Sequence, residues 1–406
     1  MNLFARLTAL QRAMLAVFGG ALLIRLGSLA VTLPDLKPDV DLDYYRSLAR
    51  SVARGDGFTM DSAPNVARTP VYPLFLAGLM RAGGDRVGLF LAVQCLLGAA
   101  TCGLTVWLAS RWLSPIAATV AGAVVALDPN SIVRCLDLRT ETLFTLLLVA
   151  GAGLLLKERP SHWAAAGLLW SLAALCRPIA VWLPLVVLGV WIFDRHRIAR
   201  PLAFLVAFLP LIGLWMARNA HVTGQWFVSS ISTINLLHYH AAAVTAAKSG
   251  VTLETVQSQY ATEFGSAEFY EDRHHFADRL RAMQSRAWEV IRADPSQMVR
   301  QLATGWLRII LGPGARSLDN SLREQQPVSR WWPPVYTIML ASAWLLAAFG
   351  AVKLRRGCIL PVLLILYFVG LAGGSNGNSR FRVPVVPMLA VLAAAGAPHL
   401  YSRCRQ

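Results

Sequence analysis

The stretch TPVYPLFLAGLMRAGG, residues 69–84, decides how this chain is threaded. If it crosses a bilayer, every later segment changes side. Its apolar core is only about a dozen residues, short of the ~20 that a helix needs to span the hydrocarbon. Such a segment suits the interface, lying on the membrane or re-entering it. Charge patterning agrees. With the N-terminus inside, the short inner segments hold Arg6, Arg12, Arg111, Lys157, Arg159, Arg195, Arg197, Arg200, Lys353, Arg355, Arg356, Arg403 and Arg405, and the short outer loops only Arg134, Arg139, Arg177, Arg380 and Arg382. Inner loops are the ones enriched in Lys and Arg, and reading 69–84 as a span would reverse that bias.

Working outward, the rest of the chain is built for lipid. Of 406 residues, 56% are hydrophobic and only 15% charged, with mean hydropathy +0.50. Ten apolar segments read as spans: 13–33, 87–110, 115–128, 142–156, 162–177, 179–194, 201–217, 332–352, 358–374 and 384–401. The first is too long for a signal-peptide core and has no clear cleavage site. The expected fold is therefore an all-α polytopic membrane protein with both termini inside. It divides into a membrane core (1–217) with a first outer loop (34–86), a large outer helical region (218–331) and a C-terminal group of spans (332–406). Within 218–331, Phe276, Leu280, Met283, Ala287 and Val290 form one apolar stripe at helical spacing, and Asp294-Pro295 breaks it from a second amphipathic helix.

The formal charge of +16 could point to nucleic acid, but the basic residues are scattered between spans and form no block. Against that background the first outer loop concentrates acid. In DVDLDYYRSLARSVARGDGF (39–58), Asp39, Asp41 and Asp43 precede a helix with Leu48, Ala49 and Val52 on one face and Arg46, Arg50 and Arg54 on another. Those arginines can reach lipid headgroups, and the GDG at 55–57 ends the helix. Helix capping accounts for one of the three aspartates and leaves the cluster unexplained. A second acidic group, Asp137 and Glu141, opens the fourth span on the same side, where Thr140 or Asp137 could cap. Two carboxylate clusters on one outer face match acid/base chemistry, one group taking a proton and another orienting.

Each outer arginine breaks the charge rule and calls for a reason. Arg177, Arg218, Arg380 and Arg382 could bind phosphate, since a planar guanidinium donates two parallel hydrogen bonds. The alternative for each is a structural ion pair, and Arg25 inside the first span is most simply read that way. His238, His240, His274 and His275 read as ordinary loop histidines. The six cysteines form no CxxC motif, so neither zinc nor a disulfide framework is expected.

The motifs in order resemble the GT-C glycosyltransferases, nearest to the protein O-mannosyltransferase and lipid A aminoarabinose transferase families. Those motifs are Asp41, Tyr45 and Ala49, then GDGF, then ARTPVYPLFLA; Pro129-Asn130 with TETLF; CRP at 176–178; Arg218-Asn219 with Gly224; and SRFRVPVVP. The resemblance covers most of the chain and is weakest over 240–330. It implies an enzyme that takes a sugar from a polyprenyl-phosphate carrier at the outer face of the cytoplasmic membrane. It makes Asp41 the essential first-loop acid, with Asp43 as rival, and Glu141 the second acid. Arg68 stands where relatives often carry Lys. Some relatives use a divalent cation and the nearest do not, so a cation stays open and no metal ligands are assigned. The acceptor is an envelope lipid, glycan or protein. Two other classes fit a multi-spanning chain: a lipid or lipid-linked-glycan transporter, which would show paired halves with broken helices, and a non-catalytic polysaccharide-assembly subunit, which would tolerate Asp41→Asn.

Overall fold

The computed structural model describes residues 7–35, 44–61, 63–194, 197–265, 273–314 and 331–397. Asp39, Asp41 and Asp43 lie outside the described residues. The described chain is helical apart from one small antiparallel hairpin, Thr59–Met60 with Ala63–Pro64.

Every segment read as a span is a helix. These are α1 (Ala9–Thr32), α4 (Val87–Ala109), α5 (Pro115–Leu127), α7 (Glu141–Leu155), α8 (Pro160–Ala174), α9 (Leu183–Asp194), α10 (Ala199–Thr223), α16 (Trp332–Leu354), α17 (Ile359–Leu371) and α18 (Val386–Gly396). Their starts are written locally. Thr8 and Gln11 form a reciprocal capping box on α1, and Ser114 caps α5 with Pro115 in its first turn. Among the described residues, five helical runs are long and apolar enough to cross a membrane: Ala9–Thr32, Val87–Ala109, Ala199–Thr223, Trp332–Leu371 and Ser379–Gly396. The last starts earlier than expected. Asn378 accepts a hydrogen bond from the Arg380 amide and winds Ser379–Val385 into a 3₁₀ turn, so the SRFR stretch is helical where an outer loop was expected.

The helices pack where side chains are smallest. α8 lies along α10, and a Cβ at Gly167 would strike the Phe204 carbonyl. α16 and α18 meet in the same way at Gly350 and Gly396. Close backbone approach through small residues is the usual basis of helix association in lipid, where burial in water gives no drive.

The stretch 69–84 contains a helix, α3 (Val71–Gly83), of 13 residues. Tyr72 near its start donates to Gln94 on α4, and Gly83 at its end lies against Leu89 of the same helix. Both ends of α3 thus meet the first two turns of α4, so α3 lies across one end of the bundle and does not run its depth. The preceding basic helix, α2 (Tyr45–Arg54), packs on α3 and ends at Gly55 with φ 91°, a left-handed conformation suited to glycine. The N-cap position is Tyr44, itself left-handed at φ 60°, with no side-chain cap.

The helical region expected outside collects at that same end. α6 (Pro129–Val133) follows α5, and α11 (Ile231–Ile234), a π-helical turn (Asn235–Ala241), α12 (Ala242–Ser249) and α13 (Leu253–Phe264) follow α10. α14 (Arg273–Ala293) and α15 (Pro295–Leu311) are split where expected, with Asp294 capping α15 through the Gln297 amide. Phe276, Leu280, Met283 and Ala287 are buried against Leu237, Ala241 and the first-loop residues Val66 and Ala67.

Candidate functional site

A short loop between α6 and α7, residues 134–140, carries the second acidic group. Arg134 pairs with Asp137 at 2.5 Å, and Arg139 approaches the same oxygen at 3.9 Å. Thr140 occupies the N-cap of α7 but gives no side-chain cap, and Asp137 is engaged by arginine. Neither residue caps α7.

Glu141, the first residue of α7, is 1% exposed. Its Oε1 faces two guanidiniums, Arg177 Nη1 at 2.7 Å and Arg380 Nε at 3.3 Å, while Oε2 has no hydrogen-bond partner among the described residues. Each arginine is presented by a proline- or asparagine-nucleated 3₁₀ turn: Arg177 precedes Pro178–Trp182, and Arg380 lies in Ser379–Val385. The Phe381 ring lies under both guanidiniums, at 5.6 Å from Arg177 and 5.1 Å from Arg380, and Phe144 backs Arg177 at 5.7 Å. Aromatic faces stabilise such cations at low solvation. The group as a whole sets four guanidiniums (Arg134, Arg139, Arg177, Arg380) against two carboxylates. Among the described residues it is a buried site with surplus positive charge, and the side chains of Arg177 and Arg380 keep 12% and 22% exposure.

The first outer loop reaches this site through aromatic residues. Tyr45 stands edge-on to Tyr72 at 5.0 Å, and the Arg68 guanidinium lies over Tyr45 at 5.8 Å. Tyr72 donates to Gln94 Oε1 at 2.7 Å, and Gln94 Nε2 donates to the carbonyls of Cys135 and Asp137. This bridge joins α3, α4 and the 134–140 loop, and sequence reasoning missed it. A glutamine inside the apolar run LAVQCLL was the available signal.

Several arginines singled out from sequence lie elsewhere. Arg382 is fully buried and donates to the carbonyls of Ile309, Ile310 and Gly312, with its guanidinium over Tyr336. Arg218 donates to the carbonyls of Asn65 and Phe58, and Asn219 to those of Phe227 and Val228. These side chains pin the first loop and the outer region to the bundle. Arg25 was expected in an ion pair with an acid. It donates instead to the carbonyls of Val125 and Ala126 at the C-terminal end of α5, where the helix dipole is negative. Among the described residues, no group of three or more His, Cys, Asp or Glu could hold a metal ion. His238 and His240 lie in the π-helical turn.

Arg382→Ala should therefore act on stability. Three carbonyls lose their donor, at a cost of at least about 2 kcal/mol, so thermal unfolding in detergent should come at a clearly lower temperature. An unchanged melting temperature together with lost lipid binding would return Arg382 to the ligand site.

A family model described as dolichyl-phosphate-mannose-protein mannosyltransferase matches residues 67–216. No curated protein matches the sequence. Among solved structures, an oligosaccharyltransferase from Archaeoglobus fulgidus in the apo form superposes with TM-score 0.51 at 15% identity, over 94% of this chain and 50% of that one. ArnT from Cupriavidus metallidurans bound to undecaprenyl phosphate gives TM-score 0.42 at 14% identity, over 94% of this chain and 76% of that one. The chain thus spans half the length of the archaeal protein and about three quarters of ArnT. Its fold is similar to that of the archaeal oligosaccharyltransferase, and residues 67–216 match the mannosyltransferase family model.

Proposed function

We propose that this protein is an inverting glycosyltransferase. It would move a hexosyl or pentosyl group from a polyprenyl-phosphate donor to an envelope lipid, glycan or protein at the outer face of the cytoplasmic membrane. The observation that carries the reading is Glu141, buried between Arg177 and Arg380 in a site with more guanidinium than carboxylate. Such a site is completed by an anion. The structural neighbours' lipids supply the chemistry by analogy: one ArnT structure holds undecaprenyl phosphate and an archaeal oligosaccharyltransferase structure holds a dolichol-phosphate.

In this mechanism an acceptor hydroxyl or amine attacks the anomeric carbon while the bond from that carbon to the donor phosphate breaks. The phosphate leaves with the electron pair and gains negative charge, which Arg177 and Arg380 stabilise in a site shielded from water. Asp41 takes the acceptor proton, with Asp43 beside it. Glu141 holds the two guanidiniums in place, and Arg68 and Tyr45 form the wall toward the first loop. Attack opposite the leaving phosphate inverts the anomeric centre.

The donor half is tested by loading the purified protein with undecaprenyl phosphate and reading retained lipid by native mass spectrometry. Arg380→Ala should lower retention at least tenfold, since a charged hydrogen bond contributes about 1.5–3 kcal/mol. Arg380→Lys should restore only part of it, because the planar fork is lost. Equal retention by parent and alanine variant would remove Arg380 from the site. The sidedness is tested separately: a cysteine at position 60 should react with an impermeant thiol reagent from outside and one at 198 should not. Labelling at 198 from outside would reverse the orientation.

A further inference from the structure

Away from the Glu141 site, α2 and α3 enclose an open groove of about 490 Å³ lined by Arg50, Ala53, Arg54, Met80, Arg81 and Asp85. The sequence shows a basic face on α2 alone; the fold adds Arg81 and Asp85 from the end of α3 and the turn after it. Arg46 and Arg50 each donate through Nε to one oxygen of Asp85, at 2.8 and 2.5 Å. Partial burial raises the Asp85 carboxyl, but the hydrogen bonds from Arg46 and Arg50 outweigh it and hold the group below the usual carboxylate range. Asp85 thus stays ionised and fixes both side chains.

The groove's donors are not used up by these contacts. Among the described residues Arg50 is bound through Nε only, to Asp85, and Arg54 through Nε only, to Asp56. Arg81 donates to the Val52 and Ala53 carbonyls at the C-terminal end of α2, covering the negative end of that helix. The outer nitrogens of Arg50 and Arg54 face a cleft whose one carboxylate is already paired. Its floor, Met80 and Ala53, is apolar, and Leu74 on α3 is half exposed.

We propose that this groove seats the headgroup of an anionic phospholipid. The phosphate takes the open guanidinium donors and an acyl chain lies along Met80 and the exposed face of α3. Guanidinium forks match phosphate oxygens, and a cationic rim over an apolar floor selects an amphiphile over a soluble anion. The site is separate from Glu141 and stands whether or not the transferase reading holds.

The test uses the full-length protein in nanodiscs of equal phosphatidylglycerol and phosphatidylcholine, released and read by native mass spectrometry. The parent should retain phosphatidylglycerol in preference. Arg54→Gln, at a side chain 70% exposed and so harmless to folding, should weaken retention about fivefold, and Arg50→Gln with Arg54→Gln about 25-fold. Arg356→Gln in the turn between α16 and α17 should change nothing. Equal retention of the two lipids, or a double variant that keeps phosphatidylglycerol like the parent, would overturn the proposal. So would full displacement of the lipid by millimolar inorganic phosphate, which would show a soluble-anion site.

Discussion

Asp41→Asn should leave a folded, membrane-inserted protein whose sugar transfer falls about 10²–10⁴-fold, the usual loss when a general base is removed. Asparagine keeps the shape and hydrogen-bonding capacity of aspartate but cannot take the acceptor proton. The structural alternative is small: a lost helix cap costs only about 1 kcal/mol. Asp39→Asn should transfer at close to the parent rate and Asp43→Asn should lie between. Transfer and thermal unfolding measured in parallel on the three variants separate these roles. A folded and fully active Asp41→Asn would end its assignment as base, and damage confined to Asp43→Asn would move the base two residues along.

Glu141→Gln should be the most damaging change among the described site residues. It leaves Arg177 and Arg380 buried with no counter-charge between them. Removing one partner of a buried ion pair costs about 3–5 kcal/mol, since the remaining charge keeps its desolvation penalty. The variant should therefore melt well below the parent. Adding Arg380→Ala to it should recover part of the loss, because one of the stranded charges is gone. A double-mutant cycle of unfolding free energies reads this coupling directly. Undecaprenyl phosphate should also stabilise Glu141→Gln more than the parent, since its anion replaces the missing carboxylate. Additive single and double variants would show that Glu141 and the arginines act independently.

Much of the fold could be read from residues because lipid permits few solutions. Apolar runs bounded by Arg or by Ser-Pro mark the spans, and a core of about a dozen residues marks α3 as too short to cross. The stripe from Phe276 to Ala287 and the Asp294-Pro295 break define α14 and α15. From sequence, the pairing of Glu141 with Arg177 and Arg380 reads only as the alternative to phosphate binding by these arginines. What sequence could not supply was direction. Arg380 and Arg382 are two residues apart on a 3₁₀ turn, where each residue rotates about 120°, so one faces Glu141 and the other the carbonyls at the end of α15. The partners of Arg218 are backbone carbonyls of Asn65 and Phe58, more than 150 residues away. Backbone acceptors carry no residue signature. The acceptors of Gln94 were hidden for the same reason: it accepts from the Tyr72 hydroxyl but donates to the loop carbonyls of Cys135 and Asp137.

The most direct test of the transferase account compares envelope lipids and glycans by mass spectrometry in cells with the parent protein, without it, and with folded Asp41→Asn. The account predicts that one polyprenyl-phosphate-linked sugar accumulates, and one envelope sugar modification disappears, in both the second and third cases. Identical lipid and glycan profiles in all three would contradict it.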